Sequence, residues 1–417
     1  MIGAGVFTTS GFSYSALGNR QYVMLAWLIG GVIAICGAIS YGKLAQRITE
    51  SGGEYLFLSR LIHPAVGFIA GWVSLVAGFT GAIAFAATTF AAYAVPDSIR
   101  PAWLQPGTIG VATIVFFGVL HSATLKTGVL TQNLVVGLKL LLLSGFVGFA
   151  FLKYPSDWEG MQTQTDTAPF SIYAIASTLV WISLSFSGFN AAVYVTGEVD
   201  KPKTNVPRAL LLGTLITTVF YLLLNFVFLY AAPPEKIRGT QDIAAVAAQS
   251  LGGNSLATLM RVIVSVALLS SVSSMVIAGP RVYAKMADDG VFPKLFNTPT
   301  NRLQNVPVAA IWLQVICAAI VTYFSTLISL LNYLSFTLSV SAAVTVACLL
   351  STRRDNDTTP QHFVFSSIAV LYVTATLVLA ILSTIDNPEK LTAFALTIVS
   401  GSALYFTVNR KSKISTR

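Results

Sequence analysis

The sequence predicts an all-α membrane protein of about twelve helices. Three observations support this. Of the 417 residues, 55% are hydrophobic and only 10% charged, whereas about a quarter of an ordinary soluble domain is charged. Apolar runs of the roughly 20 residues that cross a hydrocarbon core follow one another almost to the end, separated by short polar loops. Lys and Arg also concentrate in alternate loops, as they do in polytopic membrane proteins.

The runs cover residues 4–17, 22–48, 65–95, 107–125, 128–152, 172–197, 207–231, 257–286, 306–325, 328–351, 362–384 and 391–409. Pro and Gly interrupt several of them, as membrane helices tolerate. The first run begins abruptly with Met1-Ile2-Gly3-Ala4-Gly5. Its 14 residues are too few to cross alone, and neither the basic start nor the small-residue cleavage site of a secretory signal is visible. The front half of the first helix is therefore expected to be missing.

Orientation follows from the basic residues. If the loop after run 2 is cytoplasmic and sides alternate, the cytoplasmic segments hold seventeen Lys and Arg, among them Lys43, Arg47, Lys201, Lys203 and Lys285. The other side holds six: Arg20, Arg100, Lys153, Lys236, Arg238 and Lys390. This bias predicts a cytoplasmic C-terminus. The net charge of +9 points to an anionic inner leaflet and not to nucleic acid.

Little in the chain suggests catalysis or a cofactor. Cys36, Cys317 and Cys348 all lie in apolar runs, with no disulfide or metal spacing. His63, His121 and His362 stand singly at run edges. No phosphate-binding loop of the Walker type occurs, and no acid stands with a His, a Cys or a second acid at useful spacing within a run. An enzyme is not expected.

Two runs carry Gly clusters where a helix should be continuous: Gly3-Ala4-Gly5 in run 1 and Ser185-Phe186-Ser187-Gly188-Phe189-Asn190 in run 6. Gly costs about 1 kcal/mol relative to Ala inside a helix. Small residues serve close helix packing in membranes, which is one explanation of either cluster. The other is unwinding, which bares N–H groups at one half-helix and C=O groups at the other. The first attracts a carboxylate and the second an ammonium. If runs 1–5 and 6–10 are two halves, the clusters open each half. Broken helices at matching positions of inverted repeats point to a midplane transport site.

Several stretches resemble the amino acid–polyamine–organocation (APC) superfamily of permeases. Ile2-Gly3-Ala4-Gly5-Val6-Phe7 resembles its first-span signature, and Ser51-Gly52-Gly53-Glu54-Tyr55 its loop between spans 2 and 3. Phe186 to Leu210 is similar to its sixth span and following loop, and Gly279-Pro280-Arg281-Val282-Tyr283 through Asp289-Gly290-Val291-Phe292-Pro293 to the end of its eighth span and the loop beyond. The resemblance implies two inverted five-helix repeats, 1–152 and 172–351, followed by two further spans in 362–409. It also implies an amino acid held at its carboxylate by N–H groups near Gly3, Ala4 and Gly5 and at its ammonium by carbonyls near Phe186 and Ser187, with Gly188, Phe189 and Asn190 completing the break. Many relatives carry an aromatic where this chain has Leu184, so the resemblance leaves Phe186 or Phe189 to cover the substrate. Relatives often carry Glu where this chain has Asn190, which weakens the expectation of a site dedicated to cations.

Lys139 lies at the centre of run 5, about 12 residues from either end, roughly 18 Å at helical rise. Snorkelling to an interface is excluded at that distance, and the insertion cost of about 2.5–3.5 kcal/mol turns it toward the bundle interior. It is either a structural cation or, as the resemblance implies, a proton-exchanging group that replaces a coupling sodium between spans 1 and 8. In run 8, Ala267, Ser270, Ser274 and Ala278 form a small-residue face at helical spacing. Close packing accounts for it; the resemblance places Ser270 and Ser274 beside the lysine. Glu54 and the segment Glu198-Val199-Asp200-Lys201-Pro202-Lys203 read as solvated or ion-pairing gate elements.

The expected function is secondary active transport of amino acids by alternating access, linked to protons or to exchange, in a plasma or bacterial inner membrane. Alternatives are a polyamine or other organic-amine carrier, which would want acids facing the site, and a non-transporting sensor. Some relatives join a partner through a Cys in the loop between spans 3 and 4. The corresponding loop here, Pro96 to Pro106, has none, so no disulfide-linked ancillary subunit is expected.

Overall fold

The computed structural model describes residues 2–96, 99–123, 128–153, 158, 170–297, 307–351 and 360–415. All regular structure among them is helical. In chain order the helices are α1 (Ala4–Leu17), α2 (Arg20–Arg47), a short α3 (Gly53–Leu61) and α4 (Pro64–Ala94), then α5 (Pro106–Ala123) and α6 (Gly128–Leu152). There follow α7 (Ile172–Phe186), α8 (Pro202–Tyr230), the single turn α9 (Pro234–Ile237) and α10 (Ile243–Asp288). The last four are α11 (Val308–Phe324), α12 (Leu327–Ser351), α13 (Pro360–Asp386) and α14 (Glu389–Ser415).

Among the described residues, nine stretches are long and apolar enough to cross a membrane, and α5 and α11 contribute shorter apolar helices. Two features differ from the sequence reading. The loop between runs 2 and 3 contains the nine-residue α3. A separate helical segment, residues 243–251, precedes the eighth run and is set off from it by a break at Gly252 and Gly253; Gly253 takes a φ of 68°, where a side chain would be strained.

Helix starts follow local chemistry. Asn19 accepts hydrogen bonds from the N–H groups of Gln21 and Tyr22 at the head of α2, the usual work of an N-cap. His63 caps α4 by accepting from the Ala65 N–H, with Pro64 in the first turn.

The helices pack in two groups. α4, α5, α10 and α11 contact one another, while α1, α2, α7 and α8 form the second group. The most extensive pairing in the molecule is α2 on α8. A Cβ on Gly31 of α2 would collide with the Thr218 side chain of α8, so glycine serves this close approach. α12 and α13 pack along α7.

The chain ends of these helices gather at two faces. At one, Gln46 donates to the Lys203 carbonyl, Arg281 pairs with Glu198, Lys285 reaches Asp289 and Glu50, and the Gly197 N–H bonds Ser51 Oγ. Of the Lys and Arg that the sequence reading grouped on one side, Arg60, Arg281 and Lys285 form ion pairs here. Others of that group, Lys126, Arg302, Arg353, Arg354 and Arg417, lie outside the described residues. At the other face, Gly239 N–H bonds the Gly11 carbonyl, Arg20 lies over the Tyr230 ring and Arg238 over Tyr14, and Arg261 pairs with Asp242 at 2.7 Å.

Candidate functional site

The two Gly-rich clusters of the sequence meet in space. α1 begins at Ala4, and Gly3 before it is extended (φ −147°, ψ −154°) with no side-chain cap. The N–H groups of that first turn therefore have no intrahelical partner. α7 ends at Phe186, and the chain continues to Glu198 as a 3₁₀ stretch that leaves helical geometry at Val195. The positive end of α1 and the junction between α7 and the 3₁₀ stretch thus meet at one cavity. α1 packs against α7, and Gly5 lies against Ser185 so closely that a Cβ there would stand 2.6 Å from Ser185 Cα.

The cavity holds about 370 Å³. Of the residues singled out in the sequence, Gly3, Ala4, Gly5, Leu184, Ser187, Gly188, Phe189, Asn190, Lys139, Ser270 and Ser274 all line it. Phe186 does not. Its ring packs on Tyr221 at 4.9 Å and Trp27 at 6.0 Å between centroids, and it is 1% exposed. Its position at the last turn of α7 turns the side chain toward α2 and α8. Of the two aromatics weighed as covers, Phe189 is the one at the cavity, where it also meets Tyr41 edge-on.

Lys139 of α6 is buried, and its ammonium donates to the Ile2 carbonyl at 2.8 Å. That ties α6 to the chain just before α1. It is the one hydrogen bond of this ammonium among the described residues. On α10, Ser274 Oγ donates to the Ser270 carbonyl at 2.7 Å and Ser271 Oγ to that of Ala267 at 3.0 Å. Ser270, Ser271 and Ser274 share the cavity wall with the lysine.

The wall also contains residues that the sequence did not reveal. α4 widens into a π-helix over Ser74–Gly81, and Ser74, Gly78 and Phe79 from it face the cavity; such wide turns recur at functional sites. Gly78 and Gly81 were the only local trace of it in the sequence. Ser339 of α12, Tyr372 of α13 and Tyr194 of the 3₁₀ stretch line the cavity as well. The least expected is Glu54. It stands on the short α3, outside the spans, yet it is 5% exposed and lines the cavity. Burial pushes its carboxyl up, against the downward pull of hydrogen bonds from Tyr41, Ser341 and Asn190. Only a family-like motif, Ser51-Gly52-Gly53-Glu54-Tyr55, marked this position in the sequence.

Beyond α1 the cavity is sealed. Tyr93 donates to the Phe7 carbonyl at 2.7 Å and accepts from the Ala244 N–H. Phe7, Tyr93 and Phe228 pack together with no exposure.

The chain matches the family described as amino acid permease over residues 1–405. It belongs to that family. Similar proteins include the b(0,+)-type amino acid transporter 1 of Mus musculus, 25% identical over 97% of this chain and 84% of the relative. The Asc-type amino acid transporter 1 of Homo sapiens is 23% identical over 97% and 79%. Solute carrier family 7 member 13 of Homo sapiens is 24% identical over 97% and 87%. The permease is an integral membrane protein that carries amino acids, and it is a transporter and not an enzyme. The APC resemblance of its sequence motifs is thereby borne out over nearly the whole chain.

Proposed function

We propose that this permease moves a zwitterionic amino acid by alternating access, with the substrate held between the head of α1 and the end of α7. The observation that carries this reading is the meeting of the uncapped first turn of α1 and the last turn of α7 at one cavity of about 370 Å³. The N–H groups near Gly3, Ala4 and Gly5 take the carboxylate. The carbonyls near Phe186 and Ser187, where α7 passes into 3₁₀ geometry, take the ammonium through a second, outward-facing lone pair. Peptide groups recognise the part common to all amino acids, and Leu184, Phe189 and the wall from α4 meet the variable side chain.

Lys139 is the coupling group in this reading. Its bond to the Ile2 carbonyl joins α6 to the substrate-binding end of α1, so loss of the ammonium charge loosens that end. Proton-linked uptake or exchange follows. The two halves, 1–152 and 172–351, are read as inverted repeats with their broken first helices at the site, and 362–409 as two added spans. The face rich in Lys and Arg is cytoplasmic, which puts the C-terminus there, in a plasma or bacterial inner membrane. No disulfide-linked subunit is needed.

The test is uptake into proteoliposomes from a panel of labelled amino acids, with and without a pH gradient. Uptake of no amino acid by the full chain sinks the reading. Glu54 in the cavity wall favours a second one, an organic-amine carrier; saturable uptake of putrescine in the absence of amino acid uptake would establish it instead.

A further inference from the structure

Glu54 is a buried acid whose partners are all neutral. Tyr41 of α2 donates to Oε1; Asn190 of the 3₁₀ stretch donates to the same oxygen at 3.1 Å; Ser341 of α12 donates to Oε2 at 3.2 Å. The nearby cations are engaged elsewhere: Arg60 pairs with Glu50, and Lys285 with Asp289 and Glu50. Among the described residues no Lys or Arg pairs with Glu54. The other titratable groups that feel its charge are Tyr194 of the 3₁₀ stretch and Tyr372 of α13, and Lys139 stands elsewhere in the cavity lining.

One carboxylate thus gathers three donors from three separate elements. Hydrogen bonds to an ionised acceptor are about twice as strong as neutral ones, and removing a buried acceptor orphans its donors. Both oxygens already accept, so the group is better placed to hold protein than to hold substrate. What it holds is the segment just beyond the break in α7, the segment that must shift against α12 and α2 when access to the cavity alternates.

We propose that Glu54 is the positioning residue for this end of the cavity: its carboxylate keeps Asn190 and Ser341 in register, and its bond to Asn190 breaks and re-forms in each transport cycle. This role rests on the alternating-access reading above.

A charge exchange tests it. Asn190→Asp places a second carboxylate about 3 Å from the first, and two such groups share a proton rather than ionise together. The raised acid is protonated at low pH and repels its neighbour as pH rises. Uptake by N190D is therefore expected to fall about tenfold at pH 8 relative to the native chain and to recover at pH 6. The double variant E54Q/N190D restores one amide facing one carboxylate, so its uptake returns to within about threefold of native at both pH values. E54Q alone lowers the maximal rate several-fold and leaves KM within about twofold, because it alters the moving contact and not the substrate contacts.

The melting temperature of the purified chain gives a readout independent of transport. N190D is expected to melt lower at pH 8 than at pH 6, and E54Q/N190D at the same temperature at both. N190D with native uptake at pH 8, or a double variant no better than N190D, overturns the role while leaving the transport reading intact. A native chain that carries no amino acid overturns both, whatever the melting curves show.

Discussion

Gly5 of α1 lies directly on Ser185 of α7, with 2.6 Å between the place of a Cβ on the glycine and Ser185 Cα. Two segments 180 residues apart in the chain are brought into backbone contact where α1 begins and α7 ends. Gly5→Ala forces them apart at a cost of about 1–3 kcal/mol, as overpacking in a tight core does. Uptake by G5A is expected to be lost or reduced by about tenfold or more. Ser185 Oγ also crowds the same point and adds to the clash, so Ser185→Gly in the G5A background should restore part of the uptake. Native uptake by G5A would remove close approach as the reason for this glycine.

Lys139→Ala removes the ammonium that holds the Ile2 carbonyl. If that charge couples the cycle to protons, the variant loses the difference between uptake at pH 6 and at pH 8 that the native chain shows. A pH profile unchanged from native ends the coupling role and leaves Lys139 as a structural tie.

Tyr93→Phe deletes one hydroxyl and leaves two buried groups without it, the Phe7 carbonyl and the Ala244 N–H. The Phe7 carbonyl keeps its acceptor place inside α1, so the orphaned group is the Ala244 N–H in the first turn of α10, at about 1–3 kcal/mol. A clear drop in melting temperature is expected, together with faster leak of substrate from loaded vesicles. A variant that melts and retains substrate like the native chain would show that the ring packing of Phe7, Tyr93 and Phe228 seals this end alone.

Glu198→Gln should do little. The Arg281–Glu198 pair spans 3.4 Å with side chains 39% and 57% exposed, and such pairs contribute about 0–1 kcal/mol. Melting temperature and uptake close to native are expected. A large loss of uptake without a change in melting would show that the pair works as a gate.

Much of this architecture was legible along the chain. The positions of the apolar runs follow from hydropathy because every residue facing lipid must be apolar, whatever the tertiary arrangement. The change of helix type at Ser185–Asn190 was visible because glycine weakens a helix locally. Lys139 stood out because a lone cation at mid-span has to face inward.

Other features depend on which helix lies beside which. Glu54 reads as a loop acid, and only the folding of α3 against α2, α12 and the 3₁₀ stretch makes it a cavity residue. Phe186 and Phe189 are equal candidates in sequence; the end of α7 and the turn to 3₁₀ geometry send one to Trp27 and the other to the cavity. The π-stretch of α4 has no local signature beyond two glycines. That the chain enters a membrane, where most of its helices lie and where α7 gives way to 3₁₀ geometry could be read along the chain, since these depend on short-range composition and backbone propensity. That the start of α1 and the end of α7 share one cavity, that Glu54 lines it and that Phe186 leaves it required the tertiary structure, because each depends on long-range packing that no local pattern encodes.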